Sequence, residues 1–200
     1  MRHLLVALAI LFLANACTTT VPLSGGNDVS WQAHQQQVSQ LQYWTITGRL
    51  AVTNGSESWH LDLSWQQQGS EYVIKLVGPL GVGQVQLRGD ENGVVLDDGE
   101  HSPRYAENAN SLLYENTGLS IPVEGMRYWV RGLPDPQMSN GALDLMAGKI
   151  KQIRQGGWQL QYRRYQQVND MALPQKLFMR RDDLDVRLVI DQWQLGLPNT

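Results

Sequence analysis

The chain has 200 residues, of which 42% are hydrophobic and 18% are charged, and its formal net charge is −3 at pH 7. This length suffices for one domain with a sizeable core but is short for two. The slightly acidic charge and the lack of a dense Lys/Arg cluster exclude the electrostatic footprint of a nucleic-acid-binding protein. A single cysteine excludes an intrachain disulfide, so stability must come from the core.

Residues 1–16 have the pattern of a secretory signal peptide. The basic residue Arg2 precedes an apolar run from Leu4 to Ala14, and small residues follow the run. The run is too short to span a bilayer as a helix, and it ends in residues suited to peptidase cleavage. The mature protein is therefore predicted to begin at Cys17.

Cys17 is the predicted site of lipid attachment. The thiol of a first mature residue can be thioether-linked to a diacylglycerol, and the freed amine can be acylated. The segment Leu13-Ala14-Asn15-Ala16-Cys17 resembles a bacterial lipobox, although Ala14 stands where leucine is most favoured. The alternative is an ordinary secretory signal with an incidental cysteine, which would leave an unpaired exported thiol without a partner. Thr18 follows in place of the aspartate that commonly retains lipoproteins in the inner membrane, which is compatible with export to the outer membrane.

Residues 17–29 are predicted to form a flexible tether, because they are rich in Thr, Ser and Gly and lack a hydrophobic period. Such a segment has an r.m.s. reach of roughly 20 Å, which would keep the domain near its membrane. Residues 30–200 are predicted to be a single domain that opens with a short amphipathic helix, for which Ser30 is the N-cap. The apolar stripe of this helix consists of Trp31, Val38 and Leu41.

From Trp44 onward the hydrophobic period falls to two, which predicts β-strands. Apolar and polar residues alternate along successive segments, and the links between them are short and polar or contain glycine. The segments are 44–52, 59–65, 72–76, 85–87 and 94–96. Sequential strands with short links predict an antiparallel meander with one apolar face.

Two helical segments are predicted in the middle of the chain, at Ala106–Gly118 and at Val123–Gly132, where apolar residues recur at spacings of three and four. Strands are predicted to resume at Lys149. Their segments are 149–154, 158–165, 176–181 and 184–190. This order predicts one mainly β domain in which the helices cover a strongly curved sheet.

The sequence contains no recognisable catalytic or metal-binding constellation. Its four histidines lack the spacing of a metal site, and neither a GxSxG elbow nor an HExxH helix is present. His101 lies near several acidic residues, but a solvated turn explains that cluster better. We therefore expect no enzymatic activity, no metal and no cofactor, and an unrecognised hydrolase is the least favoured class.

The glycine-rich segment from Gly78 to Gly83 lacks the Lys-Ser/Thr end of a phosphate loop. It places Leu80 between Pro79 and Gly81, at a tip where water favours polar side chains. Leu80 either folds back over the core or is exposed and inserts into lipid or a partner. Full burial there would contribute about 1.5 to 3 kcal/mol.

A series of motifs runs through nearly all of the mature chain. They are Trp31-Gln-Ala-His34, Trp44-Thr-Ile-Thr-Gly48-Arg49-Leu50, Pro79-Leu80-Gly81, Gly125-Met-Arg-Tyr-Trp129-Val-Arg-Gly132-Leu-Pro134, Leu173-Pro174 and the segment from Val186 to Trp193. In their order and spacing they resemble the outer-membrane lipoprotein receptor LolB family. The run from Gly125 to Pro134 is the most distinctive of them.

The resemblance implies an incomplete antiparallel β-barrel with a helical lid over a hydrophobic cavity. It implies a receptor in the outer membrane, facing the periplasm, that accepts lipoproteins from the periplasmic carrier LolA and releases them into the inner leaflet. Leu80 occupies the position of the protruding-loop leucine that the family associates with membrane insertion. The implied partners are LolA, the acyl chains of cargo lipoproteins and outer-membrane lipids, with no nucleic acid, and we expect a monomer.

The cargo of such a receptor needs shelter from water, because exposing three long acyl chains would cost on the order of 30 kcal/mol. The same apolar residues could instead fill a packed interior, and alternation alone does not distinguish the two. The alternative function is therefore a structural or assembly lipoprotein of the envelope with a packed, ligand-free β core. The predicted cavity residues are Ile46, Leu50, Leu61, Leu63, Trp65, Ile74 and Leu76.

Overall fold

The computed structural model describes residues 26–81 and 83–196, with side chains described from residue 30 onward except at residue 140. The predicted signal peptide, Cys17 and most of the predicted tether lie outside these residues. The helices are α1 (Gly26–Ser39), α2 (Ala109–Thr117) and α3 (Val123–Trp129). The strands are β1 (Tyr43–Asn54), β2 (Glu57–Gln68), β3 (Glu71–Val77), β4 (Gln84–Gly89), β5 (Val94–Asp97), β6 (Arg104–Ala106), β7 (Asn140–Met146), β8 (Lys149–Gln155), β9 (Trp158–Val168), β10 (Met171–Arg181) and β11 (Leu184–Leu195). A short 3₁₀ turn at Pro79–Gly81 lies between β3 and β4.

All the strands of the described residues belong to one antiparallel sheet. Their order is β6-β5-β4-β3-β2-β1-β11-β10-β9-β8-β7. Each half of the chain therefore forms its own meander, and the two halves meet where β1 pairs with β11. The sheet curves around an apolar interior without closing, since β6 and β7 are free edges. The predicted mainly β fold, an incomplete antiparallel barrel with helices over its inner face, is confirmed.

Strand β1 shows how the period of two builds the interior. Its buried positions alternate strictly with less buried ones from Trp44 to Val52. Gly48 is one of the inward positions, and it lies beside an irregularity in the pairing of β1 with β11. A Cβ atom at Gly48 would collide with the carbonyl oxygen of Val189. Glycine at this position lets the two strands that join the halves of the sheet approach each other.

Helix α3 and the turn after it are fastened to the sheet by a buried amide. The Oε1 atom of Gln155 accepts hydrogen bonds from Trp129 Nε1, at 2.8 Å, and from the backbone N of Asp135, at 2.9 Å. Its Nε2 donates to the carbonyl oxygens of Asp135, at 2.7 Å, and Met138, at 3.3 Å. In addition, the hydroxyl of Tyr162 donates to the carbonyl of Trp129 at 2.9 Å. The distinctive run from Gly125 to Pro134 thus ends in a fixed attachment to β8 and β9.

The second half of this distinctive run is held in place by a buried arginine and a glycine. Arg131 is buried and donates from Nε to the carbonyl of Arg127 and from Nη1 to the carbonyl of Leu41, at 2.9 and 2.8 Å. Removal from water lowers the pKa of the Arg131 guanidinium to about 10. Gly132 has a φ of 80°, which only glycine adopts without strain. The buried arginine therefore ties α3 to the chain segment that leads into β1.

The helices differ from their predicted bounds. Helix α1 begins at Gly26, before the predicted N-cap Ser30, and ends at Ser39, so that Leu41 lies beyond it. Trp31 and Val38 are buried as predicted. Helix α2 begins at Ala109 because the side chain of Asn108 caps it, accepting from the backbone N of Ser111 at 2.9 Å. Helix α3 ends at Trp129, earlier than predicted, because a tight turn follows.

The strands contain two elements that the sequence did not predict, β6 and β7. Among the described residues of β7 none is buried, and register shifts interrupt its pairing with β8, so it has no apolar alternation. Strand β10 begins at Met171 and not at Lys176, because a bulge after Pro174 lets a proline remain within the strand. None of the helices in the described residues is long and apolar enough to cross a bilayer.

Candidate functional site

A cavity of about 800 Å³ lies between the inner face of the sheet and the segment formed by α2, α3 and their connection. Strands β1 to β5 provide most of one wall, and residues such as Leu113, Ile121 and Met126 provide the other. This volume lies within the range of about 300 to 1,000 Å³ that is typical of small-molecule pockets. The interior of the curved sheet is therefore partly hollow.

Most of the predicted cavity residues lie together on its wall. They are Leu50, Leu61, Leu63, Trp65, Ile74 and Leu76. Ile46 is the exception, because it is fully buried and does not line the cavity. It lies at the level of the packed rings of Trp44, Trp65 and Trp193. The ring centroid of Trp44 is 5.3 Å from that of Trp65 and 5.6 Å from that of Trp193. The interior is thus solid at the tryptophan end and hollow toward Leu61.

The helical half of the cavity wall was not predicted from the sequence. Leu113 and Met126 belong to apolar stripes that predicted the helices, but periodicity does not reveal which side of a helix faces a cavity. Leu119, Ile121 and Val123 lie in or beside the connection between α2 and α3, where no period exists to identify them. The fold places this connection, which is not part of the sheet, across the cavity from β2 and β3.

The polar residues of the cavity wall are concentrated at one end. They are Ser58, His60, Asp98, Arg104, Asn116 and Thr117. We call this end the rim; it includes the turn between β5 and β6 and the end of α2. The opposite end is bounded by apolar residues such as Trp65 and Leu87. The cavity is therefore amphipathic along its length.

Asp98 organises one side of the rim. Its carboxylate accepts hydrogen bonds from the backbone N of His101 and of Glu100, at 2.9 and 3.1 Å, and from Arg104 Nη2 at 2.8 Å. The ring of His101 lies 3.0 Å from the same carboxylate. These contacts hold the pKa of Asp98 well below its usual range, chiefly through the hydrogen bond from the backbone of His101. The cluster around His101 is a turn held by a carboxylate, as the sequence favoured.

The loop between β3 and β4 borders the same end of the cavity. Gly78, Pro79 and Gly83 line the cavity, while the side chain of Leu80 is fully exposed, with a relative accessibility of 102%. The possibility that Leu80 folds back over the core is therefore wrong. A hydrogen bond of 2.9 Å from the backbone N of Gly78 to the carbonyl of Gly83 closes the loop.

Leu80 also has an unusual backbone conformation, with φ at 60° and ψ at 19°. This left-handed region costs a non-glycine residue about 1 to 2 kcal/mol. The loop therefore holds a large apolar side chain in water on a strained backbone. Strain at an exposed apolar residue beside a cavity is a feature of functional loops and not of stable packing.

A curved antiparallel sheet, open at two edges and covered on its inner face by helices around an apolar cavity, defines a class of half-barrel proteins that can hold apolar ligands. The model of the family described as "Outer membrane lipoprotein LolB" matches residues 42–193. The chain belongs to this family of outer-membrane lipoproteins.

Relatives of the family match almost the whole chain. The outer-membrane lipoprotein LolB of Nitrosococcus oceani is 36% identical and covers 98% of both chains. That of Ectopseudomonas mendocina is 39% identical and covers 97% of both. That of Pseudomonas aeruginosa is 38% identical over 94% of this chain and 92% of the relative.

Solved structures show the same fold at low sequence identity. A LolA superfamily protein from Nitrosomonas europaea superposes with a TM-score of 0.52 at 8% identity, covering 84% of this chain and 94% of that one. A DUF1329 family protein from Desulfovibrio piger gives a TM-score of 0.52 at 8% identity, covering 88% and 95%. Family membership and fold together support a role in lipoprotein localisation.

Proposed function

We propose that this protein is the outer-membrane receptor that accepts lipoproteins from the periplasmic carrier LolA, shelters their acyl chains in the cavity and inserts them into the inner leaflet of the outer membrane. The single observation that supports the proposal most is the amphipathic cavity of about 800 Å³ that opens beside an exposed leucine. Family membership supports the cellular setting.

The physical need for such a cavity follows from the cost of exposing acyl chains. Each buried CH₂ contributes about 0.8 kcal/mol, so a chain that leaves one shelter must enter another without crossing water. Leu63, Ile74 and Leu87 line the deep part of the cavity, where tails would lie, and the rim is polar, where the head of the cargo would lie. The polarity of the wall therefore gives the cargo one favoured orientation.

Transfer in this scheme needs no nucleotide. The sequence has no phosphate-binding motif, and graded affinity can give direction: the chains move from carrier to receptor and then to the still more favourable bilayer. Leu80, at the mouth of the cavity, would enter the membrane surface and bring the opening close to the lipid. Acceptance and release then depend on different parts of the molecule.

The proposed anchor, Cys17, has a role separate from the binding of cargo. A Cys17→Ala variant of the full chain should still accept lipoproteins from the loaded carrier but lose control over the membrane to which they are delivered. Transfer from purified carrier to receptor, followed by delivery to mixed inner- and outer-membrane vesicles, measures both properties. Loss of acceptance itself would contradict this division of roles.

The proposed function is tested by measuring ligand binding and lipoprotein transfer with the Cys17→Ala variant of the full chain. It should bind a fluorescent fatty-acid analogue and accept a lipoprotein from loaded LolA. Leu76→Trp, which projects into the cavity, should weaken binding of the analogue about tenfold or more. Val77→Trp is the matched control, because Val77 neighbours Leu76 on β3 but does not line the cavity, and it should bind like the parent.

The alternative is a structural lipoprotein whose loop docks a protein partner. If the parent neither binds the analogue nor accepts cargo, the receptor proposal fails and the structural lipoprotein becomes the favoured function. Equal binding by the Leu76→Trp variant and the parent would place any ligand outside the cavity.

A further inference from the structure

We propose that the guanidinium of Arg104 binds the carbonyl oxygen of the ester linkage that joins a bound acyl chain to its glycerol. The proposal rests on the proposed function, because it assigns a chemical role to the rim of the same cavity. The ligand class it names is ester-linked diacylglyceryl groups, as distinct from apolar chains in general.

The polarity of the cavity sets where an ester group would lie. Apolar side chains line the deep part, and the polar residues of the wall are gathered at the rim. A lipid that buries its tails in the deep part keeps its ester groups at the rim, because burying an ester carbonyl among apolar groups without a hydrogen bond is costly. The rim therefore faces the ester groups that every diacylglyceryl ligand has at the head of its chains.

Arg104 is the rim side chain that suits a carbonyl acceptor. A guanidinium has five N–H donors and no acceptor. The hydrogen bond to Asp98 is made by Nη2, and Nε is buried without a hydrogen-bond partner among the described residues. The side chain remains 37% exposed. Arg104 therefore enters the rim with donor capacity that the described part of the chain does not use.

The other polar side chains of the rim are less suitable. Asn116 and Thr117 already donate to carbonyls of the preceding helical turn, at 2.6 Å each. The hydroxyl of Ser58 is paired with that of Thr53 at 3.3 Å. His60 alternates with the inward residues of β2 and is exposed. Among the rim residues, Arg104 alone combines a positive charge with unused donors.

Asp98 is the positioning residue for this contact. Three backbone and side-chain groups of its own turn hold the carboxylate, and the carboxylate in turn holds Nη2 of Arg104 at 2.8 Å. An ion pair of this kind fixes the plane of the guanidinium and leaves its other edges free to donate. The turn between β5 and β6 thus presents a preorganised donor group to the cavity.

The test compares a diacylglycerol with its dialkyl ether analogue of equal chain length, each displacing a fluorescent fatty acid from the Cys17→Ala full chain. The two ligands differ in the carbonyl oxygens. The parent should prefer the ester about tenfold, which is the effect of one hydrogen bond to a charged group. Arg104→Gln should lose most of that preference. Arg187→Gln, an exposed arginine on the outer face of β11, should keep it.

The outcomes separate this inference from the proposed function. Equal affinity of the parent for ester and ether overturns the role of Arg104 while leaving the cavity as a binding site. Failure of the parent to bind either ligand overturns the proposed function instead. An ester preference that survives Arg104→Gln assigns the contact to another group and so also overturns the inference. If a thermal melt shows that Arg104→Gln does not fold, Arg104→Met takes its place, and an ester preference that survives in this folded variant overturns the inference.

Discussion

Replacing Leu80 by glutamate should impair release into membranes without affecting the fold. The side chain is fully exposed, so its replacement removes no packing, and the free energy of unfolding should change by less than about 0.5 kcal/mol. Glutamate also has a Cβ atom, so the backbone strain at φ 60° stays the same. Burial of the leucine in lipid contributes about 1.5 to 3 kcal/mol, which corresponds to about a 10- to 150-fold change in partitioning.

The assay measures two rates with the Cys17→Ala full chain, acceptance of a labelled lipoprotein from loaded carrier and its delivery to liposomes. Acceptance should be unchanged in the Leu80→Glu variant, whereas delivery should fall by at least tenfold. Leu80→Met, which keeps an apolar side chain on the same backbone, should deliver like the parent. Equal delivery by Leu80→Glu and the parent would refute the reasoning, as would a loss of acceptance in a variant that remains folded.

The remaining predictions concern the loop and the framework of the fold. Leu80→Gly should stabilise the protein by about 1 kcal/mol, because it relieves the left-handed strain, yet deliver cargo poorly, and chemical denaturation together with the delivery assay would check both effects. Gln155→Leu removes the four hydrogen bonds described above, three of which are fully buried, and should lower the free energy of unfolding by about 3 to 5 kcal/mol. Gln152→Leu on the same strand should cost less than about 0.5 kcal/mol, and equal costs would contradict the assigned network. Gly48→Ala should cost about 2 to 3 kcal/mol, because its new methyl group meets the carbonyl of Val189, and a neutral effect on the denaturation midpoint would show that β1 and β11 separate easily.

Much of the sheet could be predicted from the sequence because its inner positions have a strict period of two. Strands β1 and β2 alternate over most of their lengths, and the structure places their predicted inner residues inward. Strand β7 has no buried residue among its described positions, so its sequence contains no such signal. The start of β10 was not predicted, because it contains Pro174 and proline ordinarily argues against a strand. The bulge after Pro174 is what accommodates the proline. The pairing of β1 with β11 joins segments that are distant along the chain, and no local pattern encodes it.

The candidate site was predictable in part for similar reasons. Alternation identified the inward residues of β1 to β3, but it did not distinguish Ile46, which packs at the solid end, from Leu61, which lines the cavity. That difference depends on where large rings such as that of Trp44 fill the interior. The exposure of Leu80 depends on its backbone angles, which residue type alone does not determine. Arg104 went unnoticed because its partner, Asp98, looked like one of several acids in a solvated turn.

The tryptophan-packed end of the interior has a consequence for the order of events during transfer. If the proposed function holds, cargo that enters past the Leu80 loop meets the packed rings of Trp44 and Trp65 at the far end of the described interior, so we expect it to leave by the end at which it entered. The carrier and the bilayer would then have to bind at the same opening of the cavity, one after the other. While one of them occupies that opening, the other cannot bind there. We therefore expect cargo to be exchanged through one opening and not to pass through the molecule from one end to the other. Excess empty carrier should then compete with the membrane for the loaded receptor.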